Sequence, residues 1–188
     1  MKNLKFSFIL LLAVFISSCK PNSDKLLKQI TDKEKEMYSS GNPIPDKAKS
    51  KEMIDMYLKF ADSYPKDTLT PNILYKAANL SMNTKGFDNA VAILDRIINN
   101  YPQYSKLPET YFLKAFIFDE YLKNLGKARE AYTTFLQKFP KNDLAHDAAI
   151  SLENLGKSGD QIVKEFEEMQ KKKADSATAA TATKTKKK

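Results

Sequence analysis

The chain has 188 residues, 42% of them hydrophobic, enough to bury one core of moderate size. Its formal net charge is +8, but residues 1–18 carry +2, residues 171–188 carry +6 and residues 19–170 are neutral, so the body has no basic bias toward nucleic acid. Five glycines and no tryptophan fit an all-helical chain better than a turn-rich β fold.

The first segment reads as an export signal. Lys2 and Lys5 give a positive start, and residues 6–16, FSFILLLAVFI, form one unbroken apolar run. That run is too short to cross a bilayer core, which needs about 20 residues. Ser17 and Ser18 then precede Cys19, the one cysteine of the chain, which therefore has no intrachain disulfide partner. Ile16-Ser17-Ser18-Cys19 resembles the lipobox of bacterial lipoproteins. The resemblance implies cleavage before Cys19, diacylglycerol on its sulfur and an acyl chain on the new amino terminus. Several acyl chains make a stable anchor, because each buried methylene contributes about 0.8 kcal/mol. The alternative is an ordinary secretory signal followed by a free thiol. Lys20 in place of aspartate implies, by the sorting rule of enteric bacteria, transfer to the outer membrane, on its periplasmic face or at the cell surface. On this reading, residues 1–18 are the lipoprotein signal and 19–24 a polar tether.

From residue 25 to 170 the pattern is helical. Leu26, Leu27, Ile30, Met37 and Tyr38 form a stripe with one gap at Glu34, ending near Ser40 before Gly41-Asn42-Pro43-Ile44-Pro45. Asp46 is placed to cap a second helix reaching Tyr64, with Met53, Tyr57, Phe60 and Tyr64 on one face. Thr70 caps a third, with Pro71 at its first position, running to about Asn83. Lys85-Gly86-Phe87 turns the chain, and Asp88 caps a helix to Asn100, closed by Tyr101-Pro102. Residues 108–123 are apolar nearly all round, as expected of a central helix buried on most sides. A helix over 126–138 follows, closed by Phe139-Pro140. Asp143 caps a helix to Leu155 whose packing face is Ala145, Ala148, Ala149 and Leu152. Ser158-x-x-Gln161 resembles a capping box and opens a last helix with Ile162, Val163, Phe166 and Met169 inward. Residues 171–188, rich in Lys, Ala and Thr, hold no large apolar side chain, and the expectation is a disordered basic tail.

One unit is written twice. Ala90 recurs as Ala128, and the same offset carries Leu94 to Tyr132, Ile97 to Phe135 and Pro102 to Pro140. The helix ending at Tyr64-Pro65 is the second half of a more degenerate copy. The repeats resemble the tetratricopeptide family, whose unit is two antiparallel helices in about 34 residues. That family places small residues at the eighth and twentieth positions, a large apolar residue at the twenty-fourth and proline at the thirty-second. Ala78, Ala90, Leu94 and Pro102 match in the first copy; Ala128, Tyr132 and Pro140 match in the second. Phe116 departs from the pattern, with Ala115 beside it available for the close-packing role. The fold implied is an all-α, tetratricopeptide-like solenoid of antiparallel helix pairs.

By the same resemblance, the concave face would carry partner-binding residues on the first helix of each repeat: Tyr75, Asn79 and Met82, then Leu113, Ile117 and Tyr121. A core role for them is the competing reading, above all for the second set. No enzyme constellation is found. His146 is the single histidine, no G-x-S-x-G or phosphate loop occurs, and Asp119 and Glu120 point about 100° apart on a helix. No catalytic residue, cofactor or metal is expected. Together with the lipobox, the chain is similar to exported repeat lipoproteins: the D subunit of the outer-membrane barrel-assembly machine and the periplasmic cell-division coordinators. The function implied is a lipid-anchored envelope scaffold that binds protein partners, with outer-membrane protein assembly as one role. The alternative is a structural or tethering lipoprotein, or a coordinator of division and the cell wall.

Overall fold

The computed structural model describes residues 23–39 and 46–185. The predicted signal, Cys19, most of the tether and the break at 41–45 lie outside the described residues. Among the described residues eight helices follow in order: α1 (Ser23–Tyr38), α2 (Lys47–Ser63), α3 (Thr70–Asn83), α4 (Phe87–Asn100), α5 (Leu107–Phe116), α6 (Leu125–Lys138), α7 (Ala145–Asn154) and α8 (Gly159–Thr185). A π-helical turn, Ile117–Tyr121, continues α5. Among the described residues there is no strand. From α1 to α7 each helix packs on the next, giving a helical solenoid.

The second helix of each pair is held by one stripe of three positions, the second four places after the first and the third three places later. In α2 it is Met53, Tyr57 and Phe60; in α4, Ala90, Leu94 and Ile97; in α6, Ala128, Tyr132 and Phe135, and all of them are buried. Each large side chain in that stripe is worth about 1.5–3 kcal/mol on leaving water. The same helices stop in the same way. Tyr64, Tyr101 and Phe139 stand just past them with φ near −130, and each backbone N–H donates to the carbonyl of Phe60, Ile97 or Phe135. The proline that follows each of them bars further helix.

The turns between paired helices also repeat. Lys85 (φ 62), Lys123 (φ 49) and Gly156 (φ 83) occupy the left-handed position after α3, the π turn and α7. Lys123 follows Lys85 by the common offset of the two copies, whereas Ala115 follows Ala78 by one position fewer. The second copy therefore holds an inserted residue between its alanine and its lysine, and the π turn absorbs it. The backbone shows the step directly. Thr84 N donates to Leu80 O, four positions back, but Leu122 N donates to Ile117 O, five back. With the register shifted, Ala115 and not Phe116 holds the close-packed position, and Ala115, like Ala78, is fully buried. The predicted central helix sits between the two halves of the core: Ile117 packs in the cluster formed by α1 to α4, and Ala115 with α6 and α7.

Some caps are as expected and others are not. Asp46 Oδ1 accepts from Ala48 N at 2.7 Å, and Ser158 and Gln161 cap each other reciprocally. Thr70 is no cap; it is buried, and its hydroxyl donates to Tyr64 O at 2.6 Å, tying α3 to the end of α2. Asp88 lies in the first turn of α4 behind Gly86, and Asn142, not Asp143, accepts from Leu144 N ahead of α7. The largest departure is α8. Ile162, Val163, Phe166 and Met169, expected inward, are all exposed. The helix also runs on past Lys171 to Thr185, where no order was expected. Ala and Lys are strong helix formers, so backbone helix needs no buried side chain there.

Phe135→Ala removes a fully buried ring and should cost about 3–5 kcal/mol in urea unfolding. Lys85→Gly relieves a left-handed φ and should raise stability by up to about 1 kcal/mol in the same measurement.

Candidate functional site

A polar cleft opens where α1, α2 and α3 meet. Its volume is about 250 Å³, and Glu34, Tyr38, Tyr57, Lys76, Asn79 and Asn83 line it. The α1 stripe would bury position 34, yet that position is a carboxylate. The neighbours supply the reason: the Tyr57 hydroxyl donates to Glu34 Oε1 at 2.6 Å, and Lys76 Nζ donates to the same oxygen at 2.7 Å. One carboxylate thus ties the first three helices together at the cleft. Burial, then the Glu34 carboxylate, holds the Tyr57 hydroxyl protonated far above its ordinary range. Tyr38 stands exposed at the rim, and Asn83 is exposed beside it.

The six residues expected in the groove divide. Asn79 lines the cleft, half-buried, with its amide donating to Tyr75 O at 2.8 Å. Tyr75 is half-buried against Tyr104, ring centroids 6.3 Å apart, with Lys106 Nζ 5.5 Å over its ring. Burial, with the Glu109 carboxylate, raises its hydroxyl. Met82 and Leu113 are half-buried and pack against the first core cluster. Ile117 is fully buried and belongs to the core, which corrects its place in a groove. Tyr121 is exposed and stacks on Phe87, centroids 4.4 Å apart. The inserted residue explains the mismatch of the second set. Counting from Ala115, the positions matching Tyr75 and Asn79 are Phe112 and Phe116, not Leu113 and Ile117. Phe112 turns its ring edge to Tyr132 and Phe135, and Phe116 meets Tyr121 at 5.7 Å.

The sequence pattern does not single out Glu34, Tyr57 and Lys76 as a site, although the gap at Glu34 in an apolar stripe is the signal of one. A second cleft, about 310 Å³, lies between α4, α5 and α6, where Lys114 pairs with Asp95 at 2.6 Å and Lys114 and Lys127 stand over the Phe118 ring. Asp119 and Glu120 do not act as a pair: Glu120 bonds Lys123 at 3.2 Å, and burial, then Glu120, raises the Asp119 carboxyl. Among the described residues no group of His, Cys, Asp and Glu is placed to hold a metal ion, and no helix is long and apolar enough to cross a membrane.

Two buried tyrosines make contrasting predictions. Tyr57→Phe loses a bond to a carboxylate and should cost about 1.5–3 kcal/mol in urea unfolding. The Tyr132 hydroxyl is buried without a well-formed hydrogen bond, with Ser151 and Asp119 in its surroundings, so Tyr132→Phe should be neutral or stabilising. The alkaline limb follows from the same groups. An unfolded tyrosine ionises near 10.0, whereas burial pushes Tyr104 and Tyr132 up to about 12 and Tyr57 higher still. Their contribution is fully present below the unfolded value and is lost as pH rises through the folded ones. Tyr57→Phe should therefore flatten the fall in stability above about pH 10, read from unfolding midpoints across an alkaline series.

Residues 73–104 and 109–142 each match the tetratricopeptide repeat. The chain is also similar to the outer membrane protein assembly factor BamD of Rickettsia prowazekii (strain Madrid E), 23% identical over 155 residues, covering 78% of this chain. The chain spans about 61% of the length of that relative. The chain thus carries two tetratricopeptide repeats, set in a solenoid of helix pairs.

Proposed function

We propose that this protein is a lipid-anchored scaffold of the cell envelope that holds protein partners through its repeats and serves outer-membrane protein assembly. The observation that carries the reading is the joint occurrence of tetratricopeptide repeats and a lipobox-like Ile16-Ser17-Ser18-Cys19 after an export signal. Similarity to an outer membrane protein assembly factor supports the assembly role. Acylation of Cys19 fixes the chain to the outer membrane, and the solenoid stands off it by the short segment before α1. The cleft at Glu34 is the docking site on this reading. Tyr38 offers an exposed aromatic face and Asn79 and Asn83 offer amide groups, suited to the backbone of an extended peptide. Glu34 and Lys76 neutralise each other there, so the cleft favours no single sign of charge. The protein works without catalysis.

A second reading, a tether between envelope layers, draws on the seven lysines of residues 171–188. Basic side chains near an anionic surface are worth about 1 kcal/mol each.

Crosslinking in intact envelopes, with captured proteins identified by mass spectrometry, separates the two. Barrel-assembly components should be captured by the wild-type chain and lost with Cys19→Ala. Asn79→Ala with Asn83→Ala should weaken that capture and leave the melting temperature nearly unchanged, since both changes are at the solvent-facing cleft. Capture of division or cell-wall proteins alone defeats the assembly role. Envelope association that survives Cys19→Ala but not deletion of residues 171–188 would establish the tether instead.

A further inference from the structure

The stripe that holds the solenoid together occurs a fourth time. Ile162, Phe166 and Met169 repeat the spacing of four and three, and a single offset maps Ala128, Tyr132 and Phe135 onto them in turn. The turn before them also holds a left-handed residue, Gly156, one place earlier than the offset from Lys123 would put it. By spacing α8 takes the place of the second helix of a fourth pair, with α7 as the first, although it does not pack along α7 as the earlier second helices pack on their partners. In the three earlier pairs the stripe is buried. In α8 the three side chains are 37%, 58% and 49% exposed, with Val163 beside them at 57%. Leu125 and Ile150, also exposed, meet Ile162 at one cleft and extend this surface onto the body.

The two ends of the solenoid differ. The outer face of α1 is charged and polar, with Lys25, Lys28, Gln29, Asp32 and Lys35 exposed. Apart from Tyr38 at the cleft rim, α1 exposes no large apolar side chain to a Phe166 stripe, so head-to-tail stacking of copies is not supported. The surface around α8 can instead complement itself. With Phe166 and Met169 at the seam, Glu165 and Lys172 fall on the same flank of the helix, about one heptad apart. When two such helices run antiparallel with Phe166 against Met169 of the other copy, the flanking positions that meet are Glu165, which within its own chain accepts from Lys157 Nζ at 2.6 Å, and Lys172, twice over. A parallel pair sets Glu165 near Gln170 instead and gains no ion pair. Mixed charge on the far face, Asp160, Lys164, Glu167 and Glu168, also disfavours an anionic lipid surface as the occupant.

We infer that α8 is a self-association helix: two copies of this chain pair through it in antiparallel fashion, each stripe covering the other. The arrangement is two-fold and closed, so it yields dimers and not filaments.

The test uses the full-length chain in native envelopes with a short thiol-to-thiol crosslinker. Met169→Cys should give an adduct of two copies, and Lys164→Cys, on the opposite face of α8, should not. The wild-type chain reports any crosslinking through Cys19. Lys172→Glu, introduced beside Met169→Cys, should lose the adduct, and adding Glu165→Lys should restore it. Because these α8 side chains are exposed, an unchanged melting temperature separates loss of pairing from loss of fold. No adduct from Met169→Cys, equal adducts from both cysteines, an adduct to a protein of another size, or failure of the charge swap to restore pairing would each overturn the inference.

Discussion

The structure depends on a single repeated burial: three side chains on the second helix of each pair, wedged between the first helix of that pair and the first helix of the next. Neither helix alone can hide such a stripe, so the chain is stable only as a stack. The stripe tolerates wide changes in size. Ala90 in one copy answers Met53 in another, and Leu94 answers Tyr57 and Tyr132. Spacing is kept while volume varies, because a solenoid can shift one pair against the next to fill space. The helix stops, set by an aromatic residue followed by proline, are kept more strictly, since they fix where each stripe ends.

The inserted residue in the second copy shows what the stack will and will not bend. A π turn is poorer than regular helix, yet it is retained near the middle of the molecule. Without it, the residue at the close-packed position would be Phe116, and a ring cannot enter the space that Ala78 fills in the copy before. The turn keeps both Ala115 and Lys123 in register with their counterparts, at the cost of a local distortion. It also moves Ile117 into the core and leaves Tyr121 outside, stacked on Phe87.

This explains what can be read from the chain and what cannot. The helix pairs are legible because burial there follows period and spacing: 90, 94, 97 and 128, 132, 135 announce themselves. The second groove set is not. A fixed offset carried across the insertion points to Leu113 and Ile117, one position out of phase for the first half of the helix. Glu34 is legible only as a gap, since its partners Tyr57 and Lys76 come from two other helices. Thr70 is mistaken for a cap because the serine-threonine preference at caps is local, while its actual partner, the Tyr64 carbonyl, closes the previous repeat. Amphipathicity points residues 162, 163, 166 and 169 inward, but it establishes only that a helix has an apolar face, not that the same chain covers it.

That last distinction bears on what such a molecule is for. A scaffold must be closed where it needs only to be soluble and open where it binds. The amino-terminal end is closed by the charged outer face of α1, and its polar cleft is held by an ion pair that a peptide could approach without displacing the core. The carboxy-terminal end is apolar, regular in spacing and uncovered. An anchor at Cys19 would confine such ends to a membrane plane, where even a modest seam meets its counterpart often. Polar recognition at one end and apolar pairing at the other would let one short solenoid hold a partner and a second copy of itself at once.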